Sequence, residues 1–235
     1  MSNSPPPLRP THETRTTERR VRAQPRPPLP AAAPKGNGMR TLIVVSAVSM
    51  DGFYDGPGNG MTVPMENCFG TYNLERLQAA DTVLLGANSY PIFSSYWPGV
   101  ADDSSAFEAD REFSKIYNVV DKVVVSDHAS PPPADHPWAN NTRIISRADA
   151  PTEIAKLKEQ DGREIVTWGS RTTWNGLLQH GLIDEIHVLL GPAALAGGTP
   201  LFEHPVSLRR LGVRTFDNFD TVLLRYGVQQ PSAQR

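Results

Sequence analysis

The sequence is short of several things that would have pointed to a function. It holds one cysteine, Cys68, in 235 residues. That excludes an internal disulfide and any cysteine-based zinc or iron–sulfur centre. Its longest apolar run, Leu42 to Met50, is broken by two serines and falls far below the ~20 residues of a membrane span. The six histidines, His12, His128, His136, His180, His187 and His204, show no metal-ligand spacing, so no metal site is expected. There is no Walker loop, no nucleophile elbow and no Ser-His-Asp order. Neither sign of charge is in large excess overall: 23 Lys/Arg stand against 25 Asp/Glu, a formal net charge of -2.

That near-neutrality conceals an asymmetry. Residues 1–38 carry seven Lys/Arg and two Asp/Glu, which leaves the other 197 residues 16 of the 23 basic and 23 of the 25 acidic side chains. An acidic body is a poor electrostatic partner for nucleic acid. Nine of the 22 prolines also lie in residues 1–38, which lack hydrophobic periodicity and an apolar signal core. The segment reads as a disordered tail, with Met39 directly before the first strand. With 39% hydrophobic residues, the rest can bury a core. The expected organisation is a tail over 1–38, one domain over 39–229 and a flexible end over 230–235. With no export or spanning signal, a cytoplasmic location is expected.

The folded part alternates between strand and helix patterns. Apolar β-branched runs at Arg40–Ser49, Asp81–Gly86, Lys122–Ser126, Arg143–Ser146, Glu164–Trp168 and Glu185–Leu190 read as strands. Leu208–Phe216 and Thr221–Val228 read as a closing hairpin. The first strand ends at the turn Met50-Asp51-Gly52, and a Gly/Pro-rich loop is expected from there through Gly60. A helix then starts at Pro64, with Met65, Cys68, Phe69, Tyr72 and Leu77 on its apolar face. Further helical spacing covers Ala87–Phe93, closed by Trp97-Pro98-Gly99, then Ser105–Asn118, Pro151–Gln160 and a helix opened by Gly169-Ser170 that stops at Gly181. The rhythm predicts an α/β layered domain with a mostly parallel sheet and an antiparallel C-terminal edge. His187 alternates with Ile186 and Val188, which predicts that it faces solvent or a partner.

Four turns are candidates for chemistry. Gly169-Ser170-Arg171 runs from a strand into a helix whose unsatisfied amides suit a phosphate. Taken alone it is also an ordinary capped connection. Gly86-Ala87-Asn88-Ser89 has the same form and the same ambiguity. Together the two suggest a sheet crevice of the kind that holds ligands in open α/β folds. Gly197-Gly198-Thr199-Pro200 reads as a flexible loop or a third cradle. Asp51, at the end of the first strand, either orients a substrate and assists protonation or bonds its own turn backbone.

These turns, in this order, resemble the dihydrofolate-reductase-like superfamily, above all the reductase domain of the riboflavin-biosynthesis deaminase/reductase and its stand-alone bacterial paralogues. The resemblance covers about residues 40–228. It rests on SMDG at Ser49–Gly52, VLLGANSYPIFSSYWP at Val83–Pro98, KVVVS at Lys122–Ser126, WAN at Trp138–Asn140, and the long block WGSRTTWNGLLQHGLIDEIHVLLGPAALAGGTPLF at Trp168–Phe202. It implies a three-layer α/β domain, a mixed and mostly parallel sheet with helices on both faces. It also implies NADPH, with NADH possible, bound across the strand ends, and hydride transfer to a small heterocyclic or carbonyl substrate. Carried over by position, Gly86 and Ser89 form the first phosphate-side turn, and Ser126 lies near the adenosine ribose. Gly169, Ser170 and Arg171 form the diphosphate turn. By the same resemblance Ser49, Asp51 and Gly52 match the nicotinamide–substrate edge, with Asp51 the catalytic candidate. The stretches Glu185–Leu190 and Gly191–Phe202 resemble regions used in homodimers.

The departures are informative. Relatives usually read Gly-Arg-x-Thr at residues 86–89 and often Ser-Arg at 126–127; here the positions hold Ala87 and Asp127. Loss of those cations predicts a weakened preference for the 2′-phosphate of NADPH, unless Arg143 or Arg147 substitutes. No zinc-binding Cys/His set is present for a deaminase half. Glu66 is the nearest acid in the first helix to a pterin contact, and it equally suits a helix N-terminus. The alternative to an enzyme is a non-catalytic nucleotide-binding or homodimeric scaffold on the same fold.

Overall fold

The computed structural model describes residues 39–58, 63 and 66–229. The tail assigned to 1–38, the end at 230–235 and the place of Pro64 at a helix start lie outside those residues. Two strands have the bounds expected of them, β6 (Glu164–Trp168) and β7 (Glu185–Leu190). The others are β1 (Leu42–Val48), β3 (Ala80–Gly86), β4 (Asp121–Val125), β5 (Thr142–Ile145), β9 (Leu208–Thr215) and β10 (Val222–Val228). They form one eight-stranded sheet in the order β5-β4-β3-β6-β1-β7-β10-β9. All neighbours from β5 to β7 run parallel, and β10 is antiparallel to both β7 and β9.

The parallel strands are apolar without alternation because both faces of the sheet are covered. Leu42 and Val44 of β1 join a core with Ile154 of α4 (Ala150–Glu159) and Trp174 of α5 (Arg171–Gln179). Ile43 and Val45 point the other way, into a core with Tyr72 of α1 (Asn67–Ala79), Tyr90 of α2 (Ser89–Val100) and Phe113 of α3 (Glu108–Val119). The result is a three-layer α/β domain. No helix among the described residues is long and apolar enough to cross a membrane.

Several local expectations give way. Helix α1 opens at Asn67, with Glu66 at its cap. The expected loop after Gly52 contains a short strand, β2 (Phe53–Asp55), paired antiparallel with β8 (Thr199–Pro200). Gly198 is required there: a Cβ on it would stand 2.0 Å from the Asp55 carbonyl oxygen. Helix α3 opens at Glu108 instead of Ser105. Helix α2 passes through Trp97-Pro98-Gly99 instead of stopping there. Pro98 has no N–H for the Ser94 carbonyl. His136 Nε2 lies 3.1 Å from that oxygen, while His136 Nδ1 accepts from the Trp138 amide, so the ring carries its proton where the helix needs a donor. Ser114 of α3 donates to the Trp97 carbonyl, which secures the same turn.

His187 does not face solvent. It is fully buried in β7, its Nδ1 2.8 Å from the Tyr72 hydroxyl and its Nε2 2.9 Å from Glu185 Oε2. β7 is enclosed between β1 and β10, so neither its edge nor its faces are free, and the alternation signals a buried polar network.

Candidate functional site

Strands β3 and β6 are neighbours and parallel, yet the chain leaves them in opposite directions. β3 feeds α2 on one face of the sheet, and β6 feeds α5 on the other. Such a divergence opens a crevice beyond the carboxyl ends of the two strands. A cleft of ≈ 420 Å³ lies there, within the size range of small-molecule sites.

Its centre is built from the two glycine turns. Gly86, Ser89 and Ser170 line it, with Arg171, Thr172 and Thr173 at the amino end of α5. Gly169 and Ser170 both take left-handed conformations, φ 60° and 50°, which turns the chain sharply into the helix. The turns are stitched together by serines. The Gly86 amide donates to Ser170 Oγ at 2.9 Å, and the Ser170 amide donates to Ser89 Oγ at 3.0 Å. The first-turn amides of α5 have no acceptor within the helix and add to its positive end. One turn further, Gly176 lines the cleft, and a Cβ there would meet no atom within 4 Å. The missing side chain leaves room for a ligand against the helix.

One wall comes from the β5–α4 connection, through Arg147, Ala150 and Pro151. Arg147 Nε lies 3.6 Å from Asp127 Oδ2, and its backbone amide donates to Asp127 Oδ1 at 2.9 Å. The opposite wall is the β2–β8 ribbon, through Tyr54, Asp55 and Thr199. Burial pushes the Tyr54 hydroxyl pKa up. Asp55 Oδ1 is buried with no hydrogen-bond partner among the described residues.

Other sequence candidates lie off the cleft wall or are already engaged. Arg171 donates to the Pro200 carbonyl and pairs with Glu203 at 2.8 Å, so its charge is balanced by the ribbon side. Arg143 pairs with Glu153 at 3.0 Å. Ser126 Oγ accepts from the His128 and Ala129 amides at 3.2 and 3.0 Å, capping the turn after β4. Ser49 Oγ donates to Asp51 Oδ1 at 2.6 Å and accepts from the Phe53 amide. Asp51 also accepts from the Leu195 and Ala196 amides at 3.0 and 2.7 Å. The Ser49 hydroxyl, then the Leu195 amide, hold the Asp51 carboxyl at about 2. Glu66 accepts from the Asp220 and Thr221 amides and the Thr221 hydroxyl, binding the start of α1 to the turn that leads into β10.

The sequence alone did not single out Tyr54, Asp55, Thr172, Thr173 or Gly176. Only Gly176 carried a local signal, as a glycine within a helical pattern. The ribbon residues become part of the site through a pairing across about 144 positions of chain, which no local pattern announces.

A family model described as the RibD C-terminal domain matches residues 40–222. Over 183 residues the chain is 26% identical to the uncharacterised protein YyaP of Bacillus subtilis (strain 168), covering 76% of this chain and 90% of that protein. Its fold is similar to that of a diaminohydroxyphosphoribosylaminopyrimidine deaminase/5-amino-6-(5-phosphoribosylamino)uracil reductase from Thermotoga maritima, with a TM-score of 0.56 and 12% identity over 81% of this chain and 57% of that one. It is also similar to dihydrofolate reductase from Enterococcus faecalis complexed with NADP(H) and RAB-propyl, with a TM-score of 0.52 and 10% identity over 81% and 97% of the two chains.

Proposed function

The chain belongs to the RibD C-terminal domain family, and on that premise we propose that it is a nicotinamide-dependent reductase of a small heterocycle of pterin or pyrimidine type, or of a carbonyl compound. The observation that carries the reading is the cleft at the divergence of β3 and β6, floored by the amino end of α5. A diphosphate suits that floor because amides, hydroxyls and the helix end all present partial positive charge.

Within this reading Ser89, Thr172 and Thr173 supply hydroxyl donors and Arg147 a cation on the wall. Gly86, Gly169 and Ser170 shape the paired turns. Arg171 holds the ribbon against α5 and lends the floor a balanced charge. Ser126 supports the adenosine side from behind β4, and Ser49 supports the opposite edge. The reduced nicotinamide, when bound, supplies the hydride. Asp51 stays ionised at neutral pH and has no proton to give, so its part is to order the β1–β2 loop against residues 191–202.

Arg147 is shared with Asp127, and Ala87 contributes no charge, so a 2′-phosphate finds little net attraction. NADPH and NADH are expected to bind within about tenfold of each other. The test is titration of the purified protein with each nucleotide, followed by intrinsic tryptophan fluorescence. A screen for oxidation of the reduced form with pterins, pyrimidines and quinones accompanies it. Folded protein that binds neither nucleotide ends the proposal. NADPH binding tighter by about a hundredfold ends the part concerning preference. A second reading, nucleotide binding without catalysis, is favoured by both oxygens of Asp51, the catalytic candidate, being taken up by the Ser49 hydroxyl and the Leu195 and Ala196 amides. It predicts binding with no oxidation of any substrate class. A homodimer is part of the proposal, and sedimentation tests it.

A further inference from the structure

Asp55 differs from the other charged side chains of the cleft. Arg171 is balanced by Glu203, and Arg147 by Asp127. Asp55 Oδ1 is buried without a donor among the described residues. A buried acceptor left unpaired is costly, and the fold gains nothing visible from this one. The backbone beneath it is fixed: Asp55 pairs with Thr199 across the ribbon, and Gly198 approaches its carbonyl too closely for any side chain. The carboxylate therefore stays at the cleft wall. A turn about its Cβ–Cγ bond, a soft torsion, presents either oxygen to the cleft.

The position of the ribbon matters as well. The order of strands places β4 and β5 on one side of the β3–β6 divergence, and β1 and β7 on the other. Arg147 follows β5. Asp55 follows β1, and Thr199 follows β7. The two walls thus flank the floor at the amino end of α5. An anion on that floor has a cation on one side and an acceptor-only carboxylate on the other.

Building on the proposed function, we infer that Asp55 is a ligand-binding residue whose carboxylate accepts a hydroxyl of the ribose beyond the diphosphate, on the side away from Arg147. An ionised carboxylate only accepts hydrogen bonds, and a ribose hydroxyl supplies the donor. A phosphorylated ribose is repelled at this position, so the ribose it takes carries both hydroxyls free. That ribose is common to NADH and NADPH, and Asp55 therefore contributes to affinity and not to the choice between them. The same donor chemistry could come from an amino group of the second substrate, and the experiment separates the two sources.

The experiment compares wild type with Asp55→Ala and Asp55→Asn by calorimetric titration of ADP, ADP-ribose, NADH and NADPH. ADP ends at the diphosphate and lacks the second ribose. Asp55→Ala is expected to weaken ADP-ribose, NADH and NADPH by about tenfold or more, the loss of a charge-assisted hydrogen bond, with Asp55→Asn intermediate. ADP binding is expected to be unchanged or tighter. Thermal stability is expected to hold or rise in Asp55→Ala, because an unpaired buried acceptor is removed. Unchanged affinity for all four ligands overturns the inference while leaving the reductase reading in place. Equal weakening of ADP overturns it too, since the second ribose is then not the partner. A raised KM for the second substrate with unchanged nucleotide affinity overturns it in favour of the amino group. Wild type that binds none of the four overturns both the inference and the reading beneath it.

Discussion

The Gly86 amide donates to Ser170 Oγ across the gap between two neighbouring strands, at 2.9 Å. This bond ties the end of β3 to the start of α5 and sets the distance between the two turns. It also explains why residue 86 is glycine: a Cβ there would stand 2.5 Å from Thr173 Oγ1. Gly86→Ala is expected to cost about 1–3 kcal/mol through that overlap. Thr173→Ala removes the atom struck and recovers most of the loss in the double variant. Chemical denaturation of the four proteins checks it, and strict additivity of the two single effects contradicts the assigned clash.

Gly176 offers a change in which stability and binding move in opposite directions. A glycine in a helix interior costs about 0.5–1 kcal/mol relative to a residue with a side chain. Gly176→Leu should therefore raise the melting temperature. The same side chain enters the open space above α5, and nucleotide affinity should fall by about tenfold or more. A stable variant that binds NADH as well as wild type removes the cleft from consideration.

Lys122 is buried under aromatic rings, its Nζ 4.6 Å from the Trp138 ring centre and 2.8 Å from the Val120 carbonyl. Burial lowers its pKa from 10.5 to about 7. The unfolded chain binds the proton more readily, so stability rises with pH between about 7 and 10.5 and is flat with respect to this group below that window. The size of the rise is on the order of a few kcal/mol, moderated by the rings and the carbonyl, which favour the charged form. Lys122→Met is expected to abolish the slope and to be the more stable protein at neutral pH. Urea midpoints across that range measure both effects.

His187 predicts the acid limb. Its Nε2–H donates to Glu185, so Nδ1 accepts the Tyr72 hydroxyl proton. Burial lowers its pKa, against the pull of Glu185, with Arg225 adding to the lowering. A lowered value means that the fold prefers the neutral ring. Its contribution is present above the unfolded value of 6.5 and is lost as pH falls from there toward the folded value. His187→Gln is expected to remove that limb of the stability curve. Glu185→Ala leaves His187 and Arg225 without their shared carboxylate and is expected to cost about 3–5 kcal/mol.

Asp51 is expected to act through the strap that it holds. In Asp51→Ala the Leu195 and Ala196 amides lose their acceptor. Their hydrogen exchange should accelerate, while nucleotide affinity stays near the wild-type value. Protection unchanged at those two amides contradicts the role.

Much of the architecture was legible because the central strands are short apolar runs closed by turn residues. β6 and β7 follow that pattern without interruption. The failures share one cause, which is that distant side chains met local needs. Pro98 reads as a helix stop until His136 supplies a donor to the Ser94 carbonyl from 42 positions away. His187 reads as an exposed alternate until Tyr72 and Glu185 are seen to satisfy both ring nitrogens. In the cleft, the two glycine turns were visible as strand–helix junctions. The Asp55 wall was not, because β2 is three residues long and its partner follows β7.

The insertion of β6 between β3 and β1 has a consequence for how the chain is made. β1 leaves the ribosome long before its two sheet partners, which begin at Glu164 and Glu185. β3, β4 and β5 can align in order as they emerge, whereas the central strand waits, apolar on both sides, for well over a hundred further residues. Pairing at such separation is slow to form, and the waiting strand is the segment most exposed to misassociation during synthesis.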